Sequence, residues 1–327
     1  SPTFHPWINC IIYKGNPQII TSFPSCESIK ESKALNADPA RLYNEEVNED
    51  YIALVKNSRY AEAPEYINPE TRKQWLKDSG LRFLRLYQLN AVKALQKSVK
   101  NGNQRFLFEM ATGTGKTLTS AAVIKLFLRS GNAHRVLFLV DRIELENQAK
   151  KNFQSYLSPD YQTVVFKENA DDWRKAEVVV STVQTLMFNN KYKQYFKPTD
   201  FSLLIADESH RSINGNYRAV FEYFLGYKLG LTATPKDYIK NVDVTKLKAT
   251  DPRAWEKRQL LDSYKTFGCE SGDPTYRYSL LDGVKDGYLI NPTVVDARTD
   301  ITTQLLADEG YAVANKTEEA EEQEETF

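Results

Sequence analysis

A glycine-rich segment set between a short apolar run and a helical pattern is the feature that most constrains this 327-residue chain. The segment reads Met-Ala-Thr-Gly-Thr-Gly-Lys-Thr over residues 110–117. The apolar run 106–108 before it is typical of a buried parallel strand, and apolar residues recur at helical spacing over 118–128. A strand, a glycine turn and a helix in this order predict a phosphate-binding loop in a parallel α/β sheet.

The residues of this loop have the chemistry needed to hold a nucleoside triphosphate. The glycines let backbone N–H groups converge on phosphate oxygens, Lys116 can reach the β- and γ-phosphates, and the Thr117 hydroxyl can bind Mg²⁺. The alternative is a glycine-rich turn that binds nothing. The predicted cofactor-binding residues in the loop are Thr112, Gly113, Thr114, Gly115, Lys116 and Thr117.

Two carboxylates follow a second predicted strand. Residues 201–206 have a buried-strand pattern that ends at Asp207-Glu208. An Asp at the carboxyl end of a parallel strand lies at the crevice where open α/β sheets bind ligands. We expect Asp207 to hold Mg²⁺ and Glu208 to orient and deprotonate the attacking water, so that ATP and Mg²⁺ are the predicted cofactors. In a chain without the loop, a solvated acidic pair would be the better interpretation.

Other polar groups at strand ends fit the same site. Residues 230–235 end a strand with the hydroxyls of Thr232 and Thr234, which are suited to linking the nucleotide site to a nucleic acid. Upstream of the loop, Gln88 could read an adenine edge with its donor and its acceptor, and Arg85 lies just before it. By itself, a tyrosine–glutamine pair at 87–88 is usually just part of a helix.

Two further strands deliver polar groups to one edge of the predicted sheet. The apolar run 136–140 leads into Asp141-Arg142, and the run 178–180 leads into residues 181–185. Most phosphate contacts in protein–DNA complexes come from Arg, Ser, Thr and Gln side chains of this kind. As isolated segments they would be loop residues with no assigned role.

Taken in order, these blocks resemble superfamily 2 helicases and translocases of the DEAH type. The blocks are Tyr87-Gln88, ATGTGKT, LVDRIEL (139–145), STVQTL (181–186), DESH (207–210) and GLTATP (230–235). More narrowly, the chain is similar to the motor (R) subunit of type I restriction-modification enzymes. DESHRS (207–212), GLTATPKD (230–237) and the connector blocks DPTY (273–276), YSL (278–280) and DGYL (286–289) carry that narrower resemblance, which covers roughly residues 80–295. The general phosphate-loop pattern has a glycine at the position of Met110. This difference is ordinary among helicase-type loops, and it weakens a match to kinases or small GTPases.

The resemblance implies an ATP-driven translocase that pulls duplex DNA past a complex anchored by methylation (M) and specificity (S) subunits. It implies that cleavage is carried out by a separate nuclease module, as in a type I site-specific deoxyribonuclease. By resemblance, Thr232 and Thr234 couple hydrolysis to DNA. The residues implied to contact DNA are Arg142, Thr182, Gln184 and Arg211.

Two parts of that family are missing from the sequence. Its nuclease uses an Asp…Glu-x-Lys pattern, yet Glu31-Ser32-Lys33 precedes the first aspartate, Asp38, so this triplet cannot complete such a metal site. No arginine-bearing block of a second motor lobe appears after residue 291, and a second-lobe arginine contributes about 10³–10⁵ to kcat in other NTPases. We therefore expect a fragment, or the ordered part, of a longer polypeptide.

Composition narrows the class of protein. With 43 basic and 43 acidic residues the formal charge is zero, so DNA affinity would have to come from a local groove. Three scattered cysteines and three histidines give no zinc-site spacing and fit a reducing cytoplasm.

No apolar stretch approaches the ~18 residues of a membrane span, so no membrane role is expected. Six glutamates among the last ten residues predict a solvated tail, with an autoinhibitory DNA mimic as the alternative.

The predicted fold is an α/β, RecA-like parallel sheet flanked by helices, preceded by a mixed α/β segment. Predicted domains are 1–78 (the end of, or a linker after, a nuclease module), 79–240 (motor lobe 1), 241–290 (connector) and 291–327 (the start of lobe 2 with the acidic tail). Three alternatives stay open: a repair or type III restriction helicase, an RNA helicase, and a nucleotide-gated DNA-binding scaffold without turnover.

Overall fold

The computed structural model describes residues 37–167, 171–208, 218–233, 263–269 and 272–290, together with two short strands near the end of the chain. The chain divides into two compact units, Ser1–Leu289 and Ile290–Phe327. In the second unit, Val313–Asn315 pairs antiparallel with Gln323–Glu325. The predicted Glu31-Ser32-Lys33 triplet, Arg211, Thr234 and the start of a second lobe at residue 291 lie outside the described residues.

Seven parallel strands form the central sheet of the first unit. In chain order they are β1 (Arg105–Met110), β2 (Val136–Val140), β3 (Thr163–Val165), β4 (Val178–Thr182), β5 (Leu203–Ala206), β6 (Tyr227–Thr232) and β7 (Tyr276–Tyr278). They lie side by side in the order β3-β4-β2-β5-β6-β1-β7, and every pairing is parallel. The predicted parallel α/β sheet flanked by helices is confirmed.

Helices connect the strands and cover both faces of the sheet. They are α1 (Pro39–Asn44), α2 (Ala53–Lys56), α3 (Pro64–Ile67), α4 (Pro69–Ser79), α5 (Leu86–Lys100), α6 (Lys116–Arg129), α7 (Ile143–Leu157), α8 (Val183–Met187), α9 (Lys191–Tyr195), α10 (Arg218–Tyr223), α11 (Ser263–Thr266) and α12 (Leu280–Lys285), with 3-10 turns at Tyr60–Glu62, Asp171–Arg174 and Phe188–Asn190. Within the described parts of the chain, none of these helices has the length and apolar character needed to cross a bilayer.

Alternate side chains of the strands enter two separate hydrophobic layers. Phe106 and Phe108 of β1 are fully buried on the face covered by α5, α6 and α7. Leu107 points to the opposite face, where α8 to α11 pack. Because helices cover both faces of the sheet, successive residues of most strands are buried. These strands therefore have continuous apolar sequences rather than an alternation of apolar and polar residues.

The segment predicted as a connector contributes an edge strand to the sheet. Tyr276–Tyr278 forms β7 and pairs with β1, so that Phe108 lies opposite Tyr276. At the other end of the unit, the Nε2 amide of Gln96 in α5 donates to the carbonyl oxygens of Leu42 and Glu45, which ties α1 to the helices of the sheet. The described residues 37–78 therefore pack into the same unit as the sheet, and the domain boundary after residue 78 stays a prediction.

Gly230 in β6 leaves room for an aromatic ring, and this contact supports a prediction about stability. A Cβ atom at Gly230 would lie 2.4 Å from Cζ of Phe267, which is 1% exposed. We expect Gly230→Ala to lower the free energy of unfolding by about 1–3 kcal/mol, because overpacking forces buried side chains to shift. Urea unfolding measures the change. In a Phe267→Leu background the same substitution should cost less, and an equal cost in both backgrounds would contradict the packing argument.

Candidate nucleotide and nucleic-acid site

The glycine-rich loop joins β1 to α6 with a backbone that only glycine adopts readily at two positions. Gly113 has φ +84° and Gly115 has φ +77°, both in the left-handed region. The buried Thr114 hydroxyl donates to the carbonyl oxygen of Ala111 at 2.6 Å, which closes the turn from within. Lys116 is the first residue of α6, so the loop leads directly into a helix N-terminus, which favours anions.

Helix α5 holds this loop from one side. The Tyr87 hydroxyl donates to the Thr114 carbonyl oxygen at 2.8 Å, and Gln88 Nε2 donates to the same oxygen at 3.0 Å. Gln88 Oε1 accepts from the Arg85 backbone N–H at 3.0 Å, and the residue is 2% exposed. Both ends of the Gln88 amide are therefore used within the protein: Nε2 holds the loop, and Oε1 caps the start of α5. Recognition of adenine by Gln88 stays a prediction and would require these bonds to exchange.

The loop and the acidic pair meet across one intervening strand. Sheet order places β6 between β1 and β5, and Lys116 Nζ lies 3.2 Å from Glu208 Oε1. The same ammonium group approaches the Met110 carbonyl oxygen at 3.5 Å. Glu208 has φ +47°, an uncommon conformation for a non-glycine residue, and its N–H donates to Asp207 Oδ1 at 3.1 Å. The three residues predicted to be catalytic thus lie together.

Burial is the main influence on the charge of Asp207. It raises the pKa of that carboxyl to about 6, helped by the neighbouring Glu208 charge and opposed by Lys116. The carboxylate is therefore mostly ionised at neutral pH while partly desolvated, and such a group gains from a nearby cation.

A carboxylate and a hydroxyl are ligands that suit Mg²⁺, which often takes one or two protein oxygens and completes its shell with phosphates and water. Thr117, the other predicted ligand, is partly exposed in the first turn of α6. Among the residues that the structure describes, no cluster of three or more His, Cys, Asp or Glu could hold a metal by itself. The ion would therefore depend on the nucleotide as well as on Thr117 and Asp207.

The residues predicted to contact DNA differ in exposure. Arg142 follows β2 with a side chain that is 65% exposed, 3.7 Å from Asp141 Oδ2, and Gln184 is exposed in the first turn of α8 after the neighbouring β4. Thr182 is fully buried, and its hydroxyl accepts from the Thr185 N–H at 3.1 Å to cap α8. Its own N–H donates to Glu146 Oε1 at 2.8 Å. Contact between Thr182 and DNA stays a prediction that would require this side chain to become exposed.

Thr232, predicted to couple hydrolysis to DNA, is the last residue of β6 and is fully buried. Its strand lies between the strand that carries the loop and the strand that carries the acidic pair. That position is suited to transmitting a change at the nucleotide site, and the coupling role stays a prediction.

A contact between the connector and the loop was not found by sequence reasoning. Tyr278 stacks on Tyr87 with ring centroids 4.0 Å apart and planes 7° from parallel. The carbonyl oxygen of Tyr278 accepts from the Ala111 N–H at 3.0 Å. Tyrosines at alternate positions 276 and 278 are the one sequence signal for this strand, and nothing in that spacing shows what it packs against.

Comparison with known proteins shows which families this chain is similar to. Residues 83–237 match the family model described as type III restriction enzyme, res subunit (ResIII). The type I restriction enzyme EcoAI endonuclease subunit of Escherichia coli is 32% identical over 244 residues, which cover 72% of this chain and 27% of that protein. The EcoKI endonuclease subunit of Escherichia coli strain K12 is 30% identical over 254 residues, which cover 68% of this chain and 19% of that protein.

A solved structure, the Pyrococcus furiosus Hef helicase domain, has a TM-score of 0.43 at 24% sequence identity and covers 59% of this chain and 38% of that chain. The chain spans only 27% and 19% of the length of the two curated relatives named above. The resemblance read from the motifs is confirmed: the chain contains a ResIII helicase-like region and is similar to type I restriction enzyme endonuclease subunits.

Proposed function

We propose that this chain is the first lobe of an ATP-hydrolysing motor that moves along duplex DNA as part of a type I restriction endonuclease subunit. The observation that carries the proposal is the 3.2 Å contact between Lys116 Nζ and Glu208 Oε1. It brings a phosphate-binding loop and a carboxylate base to the same point, as ATP hydrolysis requires. A structural ion pair alone would not need the left-handed glycine turn beside it.

The geometry supports a simple order of events at this site. Backbone N–H groups of the loop and the Lys116 ammonium bind the phosphates, and Lys116 exchanges Glu208 for a phosphate oxygen. Glu208 is then free to orient a water and to accept its proton as the water attacks the γ-phosphorus. The bond between the γ-phosphorus and the β,γ-bridging oxygen breaks, and ADP and phosphate leave. Thr117 and Asp207 would hold Mg²⁺, which offsets charge on the phosphate oxygens.

Nucleic acid would lie at the carboxyl edge of β2 and β4. These strands are neighbours, so the exposed Arg142 and Gln184 follow them on the same edge of the sheet. The buried Glu146 carboxylate accepts from the Thr182 N–H and links α7 to the start of α8. This bond holds the two segments at a fixed spacing, which is what contact with consecutive phosphates of one strand requires.

The proposed partners are inferred from the resemblance to type I restriction enzymes. We propose that the chain acts in the cytoplasm in a complex with methylation and specificity subunits, and that cleavage comes from a nuclease module elsewhere in the longer protein. The family model keeps a type III restriction helicase as the second candidate. An Asp…Glu-x-Lys module encoded upstream would favour the type I assignment.

The test of the proposed function is ATP binding by calorimetry together with ATP turnover, each with and without linear duplex DNA. We expect Mg²⁺-dependent ATP binding. Turnover that duplex DNA stimulates would mean either that a second lobe is not needed or that a second copy of the chain supplies it. Binding without turnover would place the missing catalytic group in that lobe. Absence of ATP binding at millimolar nucleotide would refute the proposal.

Arg142→Ala is expected to weaken duplex DNA binding several-fold at all sequences, because its guanidinium is placed to contact a phosphate. The slope of log affinity against log salt should become shallower by about one. Fluorescence anisotropy at several salt concentrations measures both quantities. Arg174→Ala is the matched control, since Arg174 is 61% exposed and pairs with Asp171 at 3.1 Å, but lies before β4 at the opposite edge of the sheet. Equal losses in the two variants would contradict the proposed DNA edge.

A further inference from the structure

The turn after α12 lies against the phosphate loop. The N–H groups of Tyr288 and Leu289 both donate to the Gly283 carbonyl oxygen at 2.9 Å, which folds the chain back on its helix. A Cβ atom on Gly283 would lie 2.6 Å from Leu289 Cδ1, so glycine is needed for this close packing. Leu289 Cδ2 in turn lies 3.2 Å from the place that a Cβ would take on Gly113. The turn is thus positioned directly beside the loop.

This turn presents an exposed aromatic ring to an exposed guanidinium group. The guanidinium carbon of Arg85 lies 4.6 Å from the centroid of the Tyr288 ring, and Tyr288 is 41% exposed. Arg85 Nη1 donates to the Tyr87 hydroxyl at 3.3 Å, and that hydroxyl donates to the Thr114 carbonyl oxygen at 2.8 Å. Two hydrogen bonds therefore connect this planar pair to the backbone of the phosphate loop.

A planar pair that is linked to the phosphate loop in this way suits a nucleotide base. Aromatic rings and guanidinium groups both stack on bases, and such stacking tolerates any base because every base has a π-face. Gln88 is buried with its amide used by the loop, so it offers a base no exposed surface in this arrangement. The Tyr288 ring and Arg85 are both exposed beside the loop.

We propose that Tyr288 and Arg85 form a stacking platform for the base of the bound nucleotide, with the Tyr288 ring supplying the base contact that the buried Gln88 does not offer. The inference rests on the proposed ATP site and adds to it a contact from the connector. Nucleotide binding would then engage α12 as well as the loop, because the same turn carries Tyr288 to the base and Leu289 to Gly113.

The test compares binding of ATP with binding of tripolyphosphate, which has the phosphates and no base. Calorimetry with Mg²⁺ is applied to the wild-type chain and to Tyr288→Ala, Tyr288→Leu and Tyr288→Phe. We expect the Ala and Leu variants to bind ATP about tenfold more weakly, since base–aromatic stacking is of that order, and to bind tripolyphosphate as the wild type does. The Phe variant keeps the ring and should keep the ATP affinity.

Phe188→Ala is the matched control, because Phe188 is 62% exposed, carries Lys191 Nζ 4.7 Å from its ring centroid and follows α8, away from the loop. Tyr288→Leu retains apolar volume against Tyr87, so it remains informative if the Ala variant is unstable. If the Leu variant bound ATP as tightly as the wild type, or if it lost as much affinity for tripolyphosphate as for ATP, the stacking platform would be refuted. Either result would leave the proposed ATP site unaffected. If the wild type bound neither ATP nor tripolyphosphate, both the proposed function and the stacking platform would be refuted.

Discussion

Lys116→Ala is expected to abolish tight ATP binding by this chain. The Lys116 side chain is 11% exposed, and its ammonium group already has an anionic partner, Glu208, at 3.2 Å. A phosphate group bound in the loop would replace Glu208 as the partner of Lys116. Residues 110–117 contain no other cationic side chain, so without Lys116 no side chain of the loop would offset the phosphate charge. Removing one partner from a buried charge pair costs about 2–5 kcal/mol, which corresponds to a loss of affinity of roughly 30-fold to several thousandfold.

Calorimetric titration with MgATP measures this loss, and thermal unfolding shows whether the fold is retained. We expect retention, because Glu208 is 31% exposed and water can solvate its carboxylate once Lys116 is gone. Lys97→Ala is the control, since Lys97 is exposed in the last turn of α5 and removes the same charge away from the loop. ATP affinity within a factor of about three of the wild type in Lys116→Ala would show that the loop does not bind the phosphates.

The parts of the site that sequence predicts correctly are those fixed by neighbouring residues. A left-handed turn needs glycine at 113 and 115 whatever surrounds it. The apolar spacing over 118–128 predicts the helix that follows, which the structure begins at Lys116. The parallel sheet follows in the same way from five apolar runs separated by helical stretches. These features depend on local conformation, which the sequence encodes directly.

The remaining features depend on contacts between distant segments. Gln88 has the chemistry to read a base, but its amide is used by a loop 26 residues away. Thr182 has a hydroxyl suited to DNA, but that hydroxyl caps its own helix and the side chain is buried. Tyr288 lies beside Arg85 because a connector some two hundred residues downstream adds a strand next to β1. The type of a polar residue determines which hydrogen bonds it can form. Which of these bonds it does form depends on the groups that the fold places next to it.

Glu208→Gln is expected to leave ATP binding intact and to remove turnover. Glutamine has nearly the same shape and the same demands on a backbone at φ +47°, so the strained turn after β5 should persist. It cannot accept a proton from water at neutral pH, and loss of a general base lowers rates by about 10²–10⁴. ATP affinity should stay equal or rise, because Lys116 loses a competing carboxylate and the γ-phosphate loses a like charge.

Turnover is measured in a polypeptide that also carries a second motor lobe, and binding is measured in the present chain. Glu70→Gln is the control, an exposed glutamate in the first turn of α4. Asp207→Asn distinguishes the role of Asp207 from that of Glu208. Losing the group proposed to hold Mg²⁺ should weaken ATP binding only when Mg²⁺ is present. Glu208→Gln should keep the full Mg²⁺ dependence of ATP binding. Hydrolysis at the normal rate by Glu208→Gln would mean that another residue takes the proton. The short contact between Lys116 and Glu208 would then be a structural ion pair, and the catalytic base would have to be sought elsewhere around the loop.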